Sequence, residues 1–238
     1  MLDILQFFTR FPIKDNPHYS PERFARALWL VPLLGGLIGG LQMIGFTLLK
    51  ESVPVKINIL LMLVLEQGIT GGLHLDGLAD TADGLFSGRR GEAARAIMKT
   101  GGSGPLGVFT LLVAVLVQLE GIAALAGGGI WLILGVLSRW SILVLGWQAR
   151  GKPEGLGGMI TGRISHGSLL VGTGLSAFVL CVFVSPLRAL AVLGGLVVFI
   201  AGYRLVSKRI LGGLSGDQYG FVVEMSKALV LLGLLVRF

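Results

Sequence analysis

The chain reads as an all-α, polytopic integral membrane helix bundle of about seven transmembrane helices, a count open between six and eight. Three observations predict this. Of its 238 residues, 53% are hydrophobic and only 14% charged, and the mean hydropathy is +0.83. That leaves too little polar surface for a soluble domain of this length. Several apolar runs approach the roughly 20 residues that a spanning helix requires. The basic residues fall between these runs instead of forming one patch, as loops that set membrane orientation do. The high sequence pI, near 10.0, therefore does not point to nucleic acid.

The elements follow in order. In segment 1–15, Leu2, Ile4, Leu5, Phe7, Phe8 and Phe11 recur at roughly helical spacing. This suits a short interfacial helix or, equally, a helix packed on the bundle. No basic region precedes its apolar part, so it does not read as a cleaved signal. Spans are predicted near 28–49, 57–75, 105–126, 130–148, 167–185, 188–204 and 219–236 of a single integral domain. The breaks are "KESVPVK", the polar 76–104 stretch, "AGGG", "ARGKPEGLGGMITGRISHG", "SPLR" and "SKRILGGLSGD". Glycine, 38 in all and including "LLGGLIGG" in the first span, suits close helix–helix approach in lipid. The lone Cys181 excludes an intrachain disulfide.

Charge asymmetry sets the expected orientation. Fourteen Lys and Arg residues fall in the N-terminal segment and in the 76–104, 149–166 and 204–218 stretches, against four on the opposite side. The N-terminus is expected to be cytoplasmic in the cell membrane, with the glycine-rich polar loops on the same face.

"GGLHLDGLADTADGLFSG" at 71–88 holds Asp76, Asp80 and Asp83, with no Lys or Arg between Lys56 and Arg89. Read as the continuation of the second span, the three lie within about 60° of one helical face. Like charges so placed repel, and an oxygen-seeking dication such as Mg²⁺ is the simplest neutraliser. Counted from Ile57, Asp76 comes after about 20 residues, at the interface. Solvated acids at a helix end, or an ion-transport site, are the rival readings. A second stretch, "GGLSGDQYGFVVEM", repeats Gly-Gly-Leu-x-x-Asp and places Asp217 on the same side. Glycine and leucine are common enough here for chance to produce that match. Asp217 could complete a metal site or act as general base.

"TGGLHLDGLADTADGLFSGR" closely resembles the hallmark of the cobalamin synthase family, the membrane-bound adenosylcobinamide-GDP ribazoletransferases. "FFTRFPI", "LSRW", "ARGKPEGLG" and "LGGLSGDQYG" recur in the family's order, so the resemblance covers essentially the whole chain. One departure stands out: "MKTGGSGPLG" puts Thr100 and Gly101 where the family commonly has Asp-Ser. The resemblance implies a late step of cobalamin biosynthesis. The ribose hydroxyl of α-ribazole, or of its 5′-phosphate, attacks the phosphorus attached to cobinamide in adenosylcobinamide-GDP, and GMP leaves. It also implies a requirement for Mg²⁺.

Asp76, Asp80, Asp83 and Asp217 are then the expected catalytic and metal-binding residues. His74, Arg89, Lys99 and Arg139 are the expected substrate contacts. Alternatives remain for each: packing for His74, orientation charges for Arg89 and Lys99, and an ion pair with Glu66 or Glu120 for Arg139. Expected partners are the two substrates and the lipid bilayer, with no nucleic acid; a homo-oligomer or association with other corrinoid-pathway enzymes is also compatible. A CDP-alcohol phosphotransferase shares Asp80-Thr-Ala-Asp83-Gly84, but its later aspartates are missing from "LFSGRRGEAARAIMKTGG". A transporter would place the acids at mid-bilayer on broken helices.

Overall fold

The computed structural model describes residues 2–11, 20–125, 127–149 and 155–236. Residues 150–154 of "ARGKPEGLG" and the end of "FFTRFPI" lie outside that description. The described chain is helical throughout. α1 spans Leu2–Phe8, α2 Pro21–Ala27, α3 Val31–Leu49, α4 Val55–Thr70, α5 Leu73–Phe86 and α6 Glu92–Met98. α7 spans Pro105–Leu125, α8 Gly129–Gly146, α9 Gly155–Gly158, α10 His166–Phe183, α11 Pro186–Ile210 and α12 Gly216–Leu235. Six segments are long and apolar enough to cross a membrane: Pro21–Leu49, α7, α8, α10, α11 and α12. The α4–α5 pair makes a seventh if it is one bent span.

α8 is the central helix; Trp131, Leu137, Arg139 and Ile142 on it are almost fully buried. α3 packs against it at backbone distance. A Cβ built on Gly35 would fall on the carbonyl oxygen of Gly135, and one on Gly39 on that of Trp131. "LLGGLIGG" is therefore an interface between two helices, and larger side chains there would push them apart. The outward faces of α7, α10 and α11 carry exposed leucines, valines and phenylalanines, among them Phe109, Leu170, Phe178 and Val198. Such faces suit lipid.

The second predicted span needs correction. Its helix stops at Thr70, and α5 leaves α4 at 92°. Gly71 and Gly72 make the break with φ of 68° and 75°, a region that costs β-carbon residues energy. Gly71 also has no room for a side chain, because the Arg10 side chain fills the space a Cβ would take. The aspartates thus lie on a separate helix instead of a straight continuation.

α1 is packed on the bundle, with Ile4 and Phe8 buried in its core and Leu2 exposed. It is tied down by the Arg10 backbone N–H, which donates to Ile69 O at 2.8 Å. α1, α6, α9 and the start of α12 meet at one end of the bundle around a common cavity. Among the described residues, Arg10, Arg95 and Lys99 lie at that end.

Candidate active site

α5 and α12 make the site: each follows a pair of glycines and packs closely on the other. Gly212 and Gly213 have φ of 71° and 124°, matching the positive φ of Gly71 and Gly72. The two stretches share the glycine pair and an aspartate in the first helical turn, but not the register: α5 starts at Leu73, directly after the pair, and α12 at Gly216, with Ser215 as its N-cap. The helices touch at Gly77 and Gly220. A Cβ on Gly77 would meet the Asp217 carbonyl, and one on Gly220 would lie 2.9 Å from His74 O. This glycine contact brings Asp76 and Asp217 to the wall of the same cavity, of about 410 Å³.

That cavity is also lined by Phe7 and Phe8 of α1, His74, Arg95 of α6, Lys99 and Tyr219. A second, more open cavity of about 570 Å³ adjoins it and includes Thr9, Arg10, Thr70 and Ser103. Phe7, Leu73 and Asp76 line both.

Asp80 is partly exposed on α5, a helix outside the six spanning segments. Burial, together with the charges of Asp76, Asp217 and Asp83, pushes its carboxyl up to about 6. The repulsion expected from spacing is therefore present, and Asp217 contributes to it. Asp83 turns elsewhere. Its carboxylate accepts from Gly104 N at 2.6 Å and Gly107 N at 2.8 Å, capping the start of α7. A helix N-terminus favours such a negative cap. The four aspartates are not drawn into one ligand cluster.

Among the described residues, the acid and imidazole groups whose ligand atoms lie within 4.8 Å of one another are Glu66, His74 and Glu224. Two cations already neutralise these carboxylates. Lys227 Nζ lies 2.8 Å from both Glu66 Oε1 and Glu224 Oε1. Arg139 Nη2 lies 2.7 Å from Glu66 Oε1, a charge contact without the alignment of a hydrogen bond. Gln42 and Gln118 donate to the remaining oxygens, Glu66 Oε2 at 3.4 Å and Glu224 Oε2 at 3.0 Å. With its charges balanced, this is an internal ionic network, buried beneath the cavity and joining α3, α4, α7, α8 and α12. It has no charge left to attract a dication.

The sequence-predicted contacts thus separate. His74 and Lys99 line the cavity with Asp76 and Asp217. Arg139 sits in the buried network, and Arg89 is exposed outside both cavities. His74 lies against the network, a ring nitrogen within 4.8 Å of the Glu66 and Glu224 carboxylates. Neither of its ring nitrogens has a hydrogen-bond partner.

Sequence reading missed Phe7, Phe8, Arg95 and Tyr219 as cavity residues, and it missed Arg204. The Arg204 guanidinium donates to the carbonyls of Val144, Leu145 (2.7 Å) and Trp147 (2.6 Å) at the end of α8. It closes helix carbonyls otherwise left open next to the site. Arg204 reaches the α8 end from 57 residues beyond Trp147, so no local pattern marks it, and a basic-loop count conceals it.

A family model described as cobalamin-5-phosphate synthase matches residues 1–235. Adenosylcobinamide-GDP ribazoletransferase of Desulfitobacterium hafniense (strain Y51) is 35% identical over 96% of this chain and 93% of its own. The protein of that name from Clostridium botulinum (strain Langeland / NCTC 10281 / Type F) is 34% identical over 98% and 96%. No solved structure matches. With nearly the full length matched by the family model and by relatives above 30% identity, the chain belongs to the cobalamin-5-phosphate synthase family.

Proposed function

We propose that this protein is an adenosylcobinamide-GDP ribazoletransferase, working at the cytoplasmic face of the cell membrane on α-ribazole or its 5′-phosphate. The observation that carries the reading is the pairing of Asp76 and Asp217 at one cavity wall, with Lys99 and His74 lining the same space. The cytoplasmic assignment rests on the basic residues at that end.

The acceptor's ribose hydroxyl forms a bond to the phosphorus attached to cobinamide. The bond from that phosphorus to the oxygen bridging to GMP breaks, and its electron pair leaves with GMP. Asp217, at the start of α12, takes the hydroxyl proton. Lys99 and Arg95 draw phosphate oxygens toward the wall. Asp83 holds α5 to the start of α7 and so keeps Asp76 and Asp80 in place.

The donor set fits Mg²⁺ in kind: Asp76 and Asp80 offer carboxylate oxygens, and the repulsion among the aspartates, to which the Asp217 charge contributes, favours a cation. Bound there, Mg²⁺ would offset charge on the pyrophosphate and on departing GMP.

The test uses purified protein in liposomes with Mg²⁺, adenosylcobinamide-GDP and either acceptor, following corrin product and GMP together. Stoichiometric formation of both is expected. Folded protein that yields neither product with either acceptor would overturn the reading.

A further inference from the structure

We propose that the 410 Å³ cavity under α1 is the acceptor pocket, taking the ribazole nucleoside, and that the corrinoid donor approaches through the adjoining open cavity. The two would meet at Asp76. The assignment rests on the ribazoletransferase reading and adds to it which substrate goes where and what reads the acceptor.

Size separates the two spaces first. A volume of about 410 Å³ lies within the usual range for enclosing a small ligand. A base, ribose and phosphate fit such a space. A corrin ring bearing its nucleotide is far larger than either cavity and needs the one with the wider mouth. The second cavity is that one, and its lining mixes polar Thr9, Arg10, Thr70 and Ser103 with apolar Leu75 and Leu111.

Chemistry agrees with size. Phe7 and Phe8 form one side of the enclosed cavity, their ring centroids 4.7 Å apart at 64°. Phe7 also packs on Phe24, centroids 5.1 Å apart, so its ring is braced from behind. Flat aromatic bases favour such faces. Lys99 and Arg95 supply positive charge to the same cavity, where Asp76, Asp217 and Glu92 also sit.

The shared wall also explains how one site serves two substrates. Phe7, Leu73 and Asp76 face both cavities. An acceptor hydroxyl at the Asp76 edge of one space would therefore adjoin a pyrophosphate in the other.

The experiment is steady-state kinetics in liposomes for wild type, Phe8→Leu and Lys99→Gln, varying each substrate in turn, with thermal unfolding as a check on folding. Phe8 lines the smaller cavity and not the open one, so Phe8→Leu should raise KM for the acceptor about tenfold, the weight of one lost contact, and leave KM for adenosylcobinamide-GDP unchanged. Lys99→Gln should raise KM for α-ribazole 5′-phosphate while sparing that for α-ribazole. Equilibrium dialysis of α-ribazole with the wild type, without corrinoid, should show binding that Phe8→Leu weakens. Active variants with a raised KM for the corrinoid, or with both KM values unchanged, would overturn the assignment. A wild type with no turnover would instead sink the ribazoletransferase reading.

Discussion

Asp83 on α5 and Gly107 on α7 are joined by a 2.8 Å hydrogen bond from the glycine N–H to the carboxylate, and Gly104 N donates to the other oxygen. Both glycines are there for space: a Cβ on either would collide with the Asp83 carboxylate. The aspartate motif and the "GGSGPLG" stretch, far apart in sequence, thus form one unit. Asp83→Ala should destabilise the metal-free protein by about 1–2 kcal/mol through loss of a charged cap, read by unfolding in detergent with EDTA. If Asp83 served only as a metal ligand, its removal would leave the stability in EDTA unchanged.

The buried network predicts an asymmetry between single and double substitutions. Glu66→Gln removes the group facing both Arg139 and Lys227 and should cost about 3–5 kcal/mol, the usual penalty for an uncompensated buried charge. Adding Lys227→Met should recover part of that loss. Thermal unfolding of the four proteins of the cycle checks it; strictly additive effects would mean the charges act independently.

Helix packing gives a second contrast. Gly39→Leu should prevent the α3–α8 contact, because even a Cβ there would strike the Trp131 backbone. A loss of more than about 3 kcal/mol, or failure to fold, is expected. Gly194→Ala on α11 has nothing within 4 Å and should be neutral or stabilising by up to about 1 kcal/mol from helix propensity.

Asp80 carries a pH signature. Its carboxyl lies at about 6 in the folded protein against 3.8 for the free side chain, through burial first and then the Asp76, Asp217 and Asp83 charges. A raised carboxyl pKa means that ionisation destabilises the metal-free fold, fully so above about pH 6 and not at all below the unfolded value. Asp80→Asn should therefore stabilise the protein in EDTA at pH 7.5, by under about 1 kcal/mol after solvent screening. That gain should fade as pH falls from 6 toward 4. Unfolding curves of both proteins across this range check it; a constant difference would show that repulsion is not the cause.

Much of this was legible in the sequence because lipid imposes simple rules. The apolar runs located α3, α7, α8, α10, α11 and α12, and the carboxylates without nearby cations marked α5. The break at Gly71–Gly72 was harder. The same two residues suit a helix interface as well as a turn, and only their positive φ decides between them. For Arg139, one of the expected substrate contacts, the structure shows the alternative ion pair, with Glu66 and not Glu120 as its partner; Lys227 joins the pair from 161 residues beyond Glu66, a separation no local pattern reports. Phe7 and Phe8 looked like surface or packing residues because their role depends on where α1 docks.

The most direct test of the account is the Mg²⁺ dependence of turnover in wild type and Asp76→Asn, with adenosylcobinamide-GDP and α-ribazole 5′-phosphate in liposomes. Mg²⁺-dependent release of GMP is expected from the wild type, and at least a hundredfold loss in the variant, about 2.7 kcal/mol of transition-state stabilisation, with its fold retained. Wild-type turnover at full rate in EDTA, or a folded Asp76→Asn protein as active as wild type, would contradict it.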